Sequence, residues 1–209
     1  MSAQPKPEVV EFQYIQRATA WNRTLGTFAR WCQPQANERV LDIGCGPGLL
    51  PALFRSLGCR ASGIDLDEAM FQPVPLYPKV VCGDAIRLPF SAGSFDLITA
   101  SNLLFFLPTP AEALAEMHRV VSRDGRICLI NPSPRLSISA AADVAEKLNL
   151  DEAACHSPVS WAQRADNHQR WSPDALQELC KTAGLEITTG DCRVGPGFAL
   201  FAMARKDNQ

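Results

Sequence analysis

The residues best suited to chemistry in this 209-residue chain begin with a run of spaced glycines, Asp42-x-Gly44-x-Gly46-x-Gly48, directly after Val40-Leu41. Glycine lets a backbone turn tightly and approach a ligand closely. A strand that passes through glycines into a helix is a general nucleotide-binding arrangement. Residue types exclude two common versions. A dinucleotide fingerprint needs a third glycine at position 49, which is Leu49, and a P-loop needs Gly-Lys-Ser/Thr, which the sequence lacks. Two further acids, Asp65 and Asp84, each follow a short apolar run. An ionised carboxylate at the C-terminal end of a strand sits where open α/β sheets bind ligands, and it can accept two hydroxyl donors. Asp67 is better placed than Asp65 to cap a following helix, and Asp84 competes as a turn acid after Gly83. Asp96, after Gly93-Ser94-Phe95, does no more than begin a strand.

Positioning elements follow from the pattern. Residues 9–31 have a helical rhythm in which Tyr14, Ala18, Trp21, Leu25 and Phe28 repeat at three- and four-residue steps, with a turn at Pro34 and Asn37. Strands and helices then alternate: strand 39–43, helix 49–57 ending at Gly58, strand 60–64, a short helix 67–71 and strand 80–82. Strand 95–100 comes next, then a helix from Thr109-Pro110 to 121, and strand 126–130 entered through a turn at Asp124-Gly125. Alternation of this kind predicts parallel βαβ units wound right-handedly, with helices on both faces. The end differs. Runs 185–194 and 198–204 flank Gly195-Pro196-Gly197 and predict a hairpin whose last strand is antiparallel. The expected fold is a Rossmann-like doubly wound α/β sheet of seven strands, mostly parallel. Between strand five and the hairpin lie a helix capped by Ser137 and running to Asn149, and one starting at Pro158 after Ser157 and running to 169. A helix from Asp174, opened by Ser172-Pro173, stops at Gly184. One domain spans 1–209: a helical cap (1–37), a ligand-binding core (38–131), a helical insertion (132–172) that is the expected substrate lid, and a terminal helix and hairpin (173–209).

The stretch Val40-Leu41-Asp42-Ile43-Gly44-Cys45-Gly46-Pro47-Gly48 resembles the first motif of class I S-adenosylmethionine-dependent methyltransferases. The resemblance continues in order through Gly63-Ile64-Asp65, Cys82-Gly83-Asp84-Ala85, Phe95-Asp96-Leu97-Ile98 and Arg119-Val120-Val121-Ser122-Arg123-Asp124-Gly125, and covers residues 38–131. It implies S-adenosyl-L-methionine as cofactor and S-adenosyl-L-homocysteine as product. By the same resemblance, Asp65 takes the ribose hydroxyls with Leu66 beside it, and Asp84 with Ala85 receives the adenine amino group. Met70 packs on the adenine or fills core. Asp42 either holds the loop of Gly44, Cys45, Gly46 and Gly48 or meets the methionine amino group. Ser101 and Asn102 border the methyl donor or cap a short helix.

Methyl transfer from a sulfonium is an in-line displacement, so the protein mainly aligns nucleophile and methyl carbon. A base is needed only where the acceptor must lose a proton. Acceptor contacts are expected from the N-terminal helices and the insertion, where Trp161, Arg164 or Ala165, and His168 fall on one helical face with His156 and Trp171 flanking. His156 and His168 are the candidate catalytic bases, against an ordinary surface role; His118, beside Glu112 and Glu116, reads as surface. Quinone-type members of the family often carry a His after strand four, where this chain has Phe105-Phe106, and its Ser101-Asn102-Leu103-Leu104 differs from the Asn-Pro-Pro-Tyr of amino-methylating enzymes.

Net charge is −2, which gives no footprint for a phosphate backbone, so nucleic acid is not an expected partner. Residues 1–11 lack a secretory pattern, and the longest apolar stretch, 97–107, is too short for a membrane span of roughly 20 residues. The eight cysteines have no metal-type spacing and read as reduced core thiols, so a cytoplasmic enzyme with a small-molecule substrate is expected. An RNA or protein methyltransferase and a silent cofactor-binding module are the alternatives, with a dehydrogenase as the outsider.

Overall fold

Seven strands run in the order β3-β2-β1-β4-β5-β7-β6. They are β1 (Arg39–Ile43), β2 (Arg60–Asp65), β3 (Val80–Cys82), β4 (Phe95–Ser101), β5 (Val121–Pro132), β6 (Leu185–Arg193) and β7 (Ala199–Lys206). The computed structural model describes Val10 and residues 20–71, 80–147 and 152–207, with backbone only at 20, 71 and 152–157. Strands β1 to β5 pair in parallel; β7 pairs antiparallel with both β5 and β6. The expected seven-stranded Rossmann-like sheet with a terminal antiparallel hairpin is the observed one. Strand order reverses between β1 and β4, and the crevice at the carboxyl ends of those strands is where such sheets take ligands.

Six helices cover the sheet among the described residues: α1 (Ala20–Trp31), α2 (Leu49–Ser56), α3 (Pro110–Val120), α4 (Ile138–Lys147), α5 (Glu152–Ala165) and α6 (Pro173–Thr182). The period of two along the strands sorts the core. Leu41, Ile43, Ile98 and Leu129 face the α3, α4 and α6 side, whereas Val40, Leu97, Cys128 and Ile130 face α1 and α2. Helix α1 docks through Leu25 and Phe28, both buried. Each such side chain contributes about 1.5–3 kcal/mol when taken out of water. A second tie holds the end of α1: the Arg126 guanidinium on β5 donates to the carbonyls of Cys32 (2.7 Å) and Gln33 (2.8 Å) and pairs with Glu38 at 2.8 Å.

Several boundaries differ from the sequence reading. Strand β5 begins at Val121 rather than 126, because pairing with β4 jumps from Phe95↔Val121 to Leu97↔Arg126. Asp124-Gly125 is therefore a bulge inside one strand, with Gly125 so close to the Asp96 carbonyl that a Cβ would lie 2.8 Å from it. Helix α5 begins at Glu152, not at Pro158, which sits inside it. Proline has no N–H to donate four residues back, so α5 carries one main-chain hydrogen bond fewer at that turn. Thr109 precedes α3 without a side-chain capping bond. The turn after Asp67 is a 3-10 helix, Glu68–Phe71, with the Ala69 N–H donating to Asp67 Oδ1 at 3.0 Å. Ser137 and Ser172 do cap their helices, accepting from the Ala140 and Ala175 N–H groups. Trp171 belongs to the buried core rather than to a cavity wall, and His118 is half-buried, its imidazole pushed below the usual range by burial and by Lys206. Cys82 is exposed, while Cys32, Cys45, Cys59, Cys128 and Cys180 are buried as expected. Tyr14, Ala18 and Asn149 lie outside the described residues.

Candidate functional site

A cavity of ≈ 370 Å³ opens at the carboxyl ends of β1, β2 and β4, under α1 and α5. Its first half is backbone. After β1 the chain turns through Gly44, Gly46 and Gly48 at φ values of 69°, 51° and 85°. The left-handed region is costly for residues with a Cβ. Gly44 is constrained twice, since a Cβ there would sit 2.9 Å from Leu103 Cδ1. The loop is pinned from β2: the Gly44 and Cys45 N–H groups donate to the Ile64 carbonyl at 2.8 and 3.1 Å, and the Gly46 N–H donates to Asp65 Oδ2 at 2.7 Å. Gly63 on β2 allows this approach, because a Cβ would meet Cys45 Sγ at 2.6 Å.

Asp65 thus has a structural duty beside any ligand duty. Its Oδ1 also accepts the Asp67 N–H at 3.1 Å, and it remains half-buried at the cavity wall. Asp42 is 2 % exposed and lines the cavity. Burial pushes its carboxyl up to about 8, although the Thr99 hydroxyl donates to its Oδ1 at 2.7 Å and favours the ionised form; the Asp65 charge adds to the rise. Thr99 is Asp42's register partner on β4, a role that sequence alone did not single out. Burial, with the charges of Asp42 and Asp65, also drives the Cys45 thiol far up, so it is inert filler in the loop.

Met70, Ser101 and Asn102 line the same cavity. Asn102 adopts φ 56°, held by its N–H donating to the Ile130 carbonyl at 2.8 Å. Four of the proposed cofactor residues stand apart from the lining. Gly48 forms the left-handed N-cap of α2, and Leu66 is 70 % exposed. Ala85 is buried in the core, and the half-buried Asp84 closes a turn by accepting the Ile86 N–H at 3.1 Å. Asp96 lies at the opposite end of the sheet, where Arg39 holds its carboxyl below the usual range.

The second half of the cavity is aromatic. Trp21 from α1 and Trp161 from α5 meet at 5.3 Å between ring centres, and Phe105 and Phe106, just past β4, meet at 4.0 Å. Arg164 joins them on the lining one turn after Trp161, as their spacing predicts. Sequence reasoning did not find Trp21, Leu25, Leu50 or Leu103 as lining residues, although Trp21 and Leu25 carry the N-terminal apolar stripe. His168 does not line the cavity. It is exposed and edge-on to the Phe105 and Phe106 rings at 5.7 and 5.0 Å, because α5 ends at Ala165 and the helical face does not continue to it. His156 belongs to α5 by its backbone, and its side chain lies outside the described residues. The arrangement therefore offers a polar, glycine-built subsite that passes directly into an aromatic one.

Residues 41–129 match the methyltransferase domain family. The ubiquinone biosynthesis O-methyltransferase of Nitrosococcus oceani is 26 % identical over 165 residues, covering 73 % of this chain and 65 % of that protein. The enzyme of the same name from Aromatoleum aromaticum is 30 % identical over 161 residues, covering 72 % of this chain and 65 % of that protein. The chain thus spans just under two thirds of the length of these relatives. Among solved structures, a TehB-like S-adenosylmethionine-dependent methyltransferase of Corynebacterium glutamicum superposes with a TM-score of 0.64 at 21 % identity, over 96 % of this chain and 100 % of that one. The glycine loop and Asp65 fall within the matched residues, and the strand order gives the chain the fold of the solved S-adenosylmethionine-dependent methyltransferases.

Proposed function

We propose that the chain transfers a methyl group from S-adenosylmethionine to a small-molecule acceptor lodged in the aromatic half of the cavity. The observation that carries the reading is continuity: the loop of Gly44, Cys45 and Gly46 and the rings of Trp21, Phe105 and Trp161 line one space of ≈ 370 Å³. A site for a drug-sized ligand has this size and this mix of apolar wall and few polar groups. The relatives' name, ubiquinone biosynthesis O-methyltransferase, supports an oxygen nucleophile on a small molecule.

The residues present fit the cofactor. Asp65 uses one lone pair on each carboxylate oxygen for the Gly46 and Asp67 N–H groups, and a carboxylate has about four such positions, so two remain for paired hydroxyls. Asp42 and Asp65 face a ligand that bears both a sulfonium and an ammonium, and a cation beside Asp42 draws its carboxyl back towards ionisation. Met70 supplies the apolar contact for the adenine end, and Ser101 with Asn102 borders the reacting end. When bound, S-adenosylmethionine supplies a methyl carbon already activated by its sulfonium. What remains for the chain is alignment and exclusion of water, which the Trp21–Trp161 pair and α5 provide as the roof of the acceptor half. No proton-accepting role is assigned to His168, and His168→Ala is expected to leave turnover unchanged.

The test has two steps. Calorimetric titration with S-adenosylhomocysteine measures the cofactor half. Incubation of the protein with methyl-labelled cofactor and a fractionated metabolite extract then reads transfer. Label in a low-mass product supports the proposal; label only in RNA or protein, or none with the cofactor bound, overturns it.

A further inference from the structure

Among the described residues that line the candidate cavity, Arg164 is the one cation, and the other charged residues are Asp42 and Asp65. The two signs are kept apart. Both acids stand at the carboxyl ends of strands, Asp42 on β1 and Asp65 on β2, in the glycine-built half. The guanidinium comes from the last turn of α5, one turn after Trp161, in the aromatic half. Arg164 is exposed as well as lining, so it stands at the cavity mouth. It has an interaction within the chain already, but a guanidinium carries five N–H donors, more than a bidentate partner takes.

Ser160 lies one turn before Arg164 on the same helix. It is 7 % exposed and also lines the cavity. Its hydroxyl makes no hydrogen bond to the described residues, and it is not one of the sealed polar atoms, which belong to Asn102, Asn131 and Trp161. It is therefore a donor open to the cavity. Positions four apart on a helix share a face, with Cβ atoms about 5–6 Å apart. A short hydroxyl and a long guanidinium at that spacing converge on one ligand group. Both donate, so an ammonium finds no acceptor in this pair and meets a like charge. A ketone or ether oxygen leaves the guanidinium without an anion. A carboxylate accepts on both oxygens, one for the hydroxyl and one for the guanidinium. Trp21 and Trp161 supply aromatic surface for the body that carries it.

We propose that Ser160 and Arg164 are specificity-determining residues that hold the carboxylate of an aromatic acid at the cavity mouth, the Ser160 hydroxyl and the Arg164 guanidinium donating to its oxygens. This rests on reading the cavity as the acceptor site of a methyl transfer. It also sets the direction of the acceptor. Asp42 and Asp65 repel a carboxylate that leads into the cavity, so the carboxylate trails and the methyl-accepting atom lies at the other end of the ring system, towards Ser101 and Asn102. The product is then an aromatic acid methylated away from its carboxylate.

The test titrates naphthalene-2-carboxylate and naphthalene-2-carboxamide, two ligands of one shape, onto the full chain with and without S-adenosylhomocysteine. Wild-type protein is expected to bind the carboxylate about three- to tenfold more tightly, the advantage of a charged over a neutral hydrogen bond reduced by the exposure of Arg164. Arg164→Gln keeps a donor and removes the charge, so the preference disappears. Ser160→Ala weakens both ligands several-fold and leaves the preference, because the hydroxyl donates to either carbonyl oxygen. Arg23→Gln removes an exposed charge outside this cavity and changes neither affinity, which separates local contact from net charge. Should Arg164→Gln fail to fold by circular dichroism, Ser160→Ala decides. The proposal is overturned if wild-type protein binds neither ligand or does not prefer the carboxylate. It is equally overturned if folded Arg164→Gln keeps the preference, if Arg23→Gln abolishes it, or if Ser160→Ala keeps wild-type affinities. Failure of wild-type protein to bind S-adenosylhomocysteine sinks the proposed function instead, and the charge preference is then read on the unloaded chain.

Discussion

Replacing Asp65 by Ala tests the cofactor half most sharply, because the structure separates what the carboxylate does for the fold from what remains for a ligand. Its two oxygens accept the Gly46 N–H at 2.7 Å and the Asp67 N–H at 3.1 Å. With about four acceptor positions on a carboxylate, two are left. Filled by paired hydroxyls, each makes a bond to a charged group, worth about 1.5–3 kcal/mol. Two such bonds contribute about 3–6 kcal/mol, and at about 1.4 kcal/mol per factor of ten Asp65→Ala weakens cofactor binding roughly a hundred- to ten-thousand-fold. Isothermal titration with S-adenosylhomocysteine reads this without turnover. Asp65→Asn is the control. It keeps the shape and one oxygen for the Gly46 N–H but loses the charge, so its affinity falls between wild type and Ala. Wild-type affinity in Asp65→Ala would show that Asp65 serves the loop alone and that the cofactor lies elsewhere.

Three further outcomes follow from the same geometry. Gly44→Ala combines a φ of 69° with a Cβ 2.9 Å from Leu103 Cδ1, so it should lower stability by at least the roughly 1–2 kcal/mol that the left-handed region costs, and unchanged denaturant unfolding would contradict that. Glu38→Ala leaves the 7 %-exposed Arg126 without its anion; about 3 kcal/mol of stability is expected to go, at the low end for a broken buried pair because the Cys32 and Gln33 carbonyls still accept, and a loss under about 1 kcal/mol refutes the tie. Burial keeps the Asp42 carboxyl protonated up to about 8 in the folded chain, whereas an unfolded Asp ionises near 4, so its stabilising contribution is whole below pH 4 and declines as pH rises from 4 to 8. Asp42→Asn should flatten that part of a melting-temperature profile of ligand-free protein, and parallel profiles for the two proteins would rule it out.

What the sequence made legible was local. The apolar run 40–43, the glycines after it and the capping serines 137 and 172 each specify structure within a few residues, and the observed elements agree. What escaped it depends on contacts between distant segments. Asp124-Gly125 has the composition of a turn, yet pairing with β4 stretches it into a bulge of β5. Pro158 reads as a helix start, yet the helix begins at Glu152. The site divides in the same way. Its proposed cofactor half is written in short local motifs at the ends of β1 and β2, and Asp42, Gly44, Cys45, Gly46 and Asp65 all reach the cavity. Its aromatic half is assembled from α1, the turn after β4 and α5, and no spacing rule joins Trp21 to Phe105 to Trp161. His168 shows the limit of helical periodicity: four residues beyond Arg164 it keeps the period but lies past the end of α5.

The two halves also differ in what can change. The cofactor half is fixed by main-chain bonds from Gly44, Cys45 and Gly46 to β2, and by glycines whose replacement would strike Leu103 or Cys45. Few substitutions there leave the loop intact. In the acceptor half the shape is made by side chains on elements that are anchored elsewhere. Trp161 packs against the cores on both faces of the sheet, so α5 stays seated whatever its cavity-facing atoms meet. Asn102 is the junction. Its backbone is held in the left-handed region by the Ile130 carbonyl, a strain that persists because the surrounding sheet over-determines it, while its amide oxygen is left without a partner at the point where the halves meet. On the proposed reading, a site built this way exchanges acceptors by changing a few rings and polar atoms, without disturbing the strands that would hold the methyl donor.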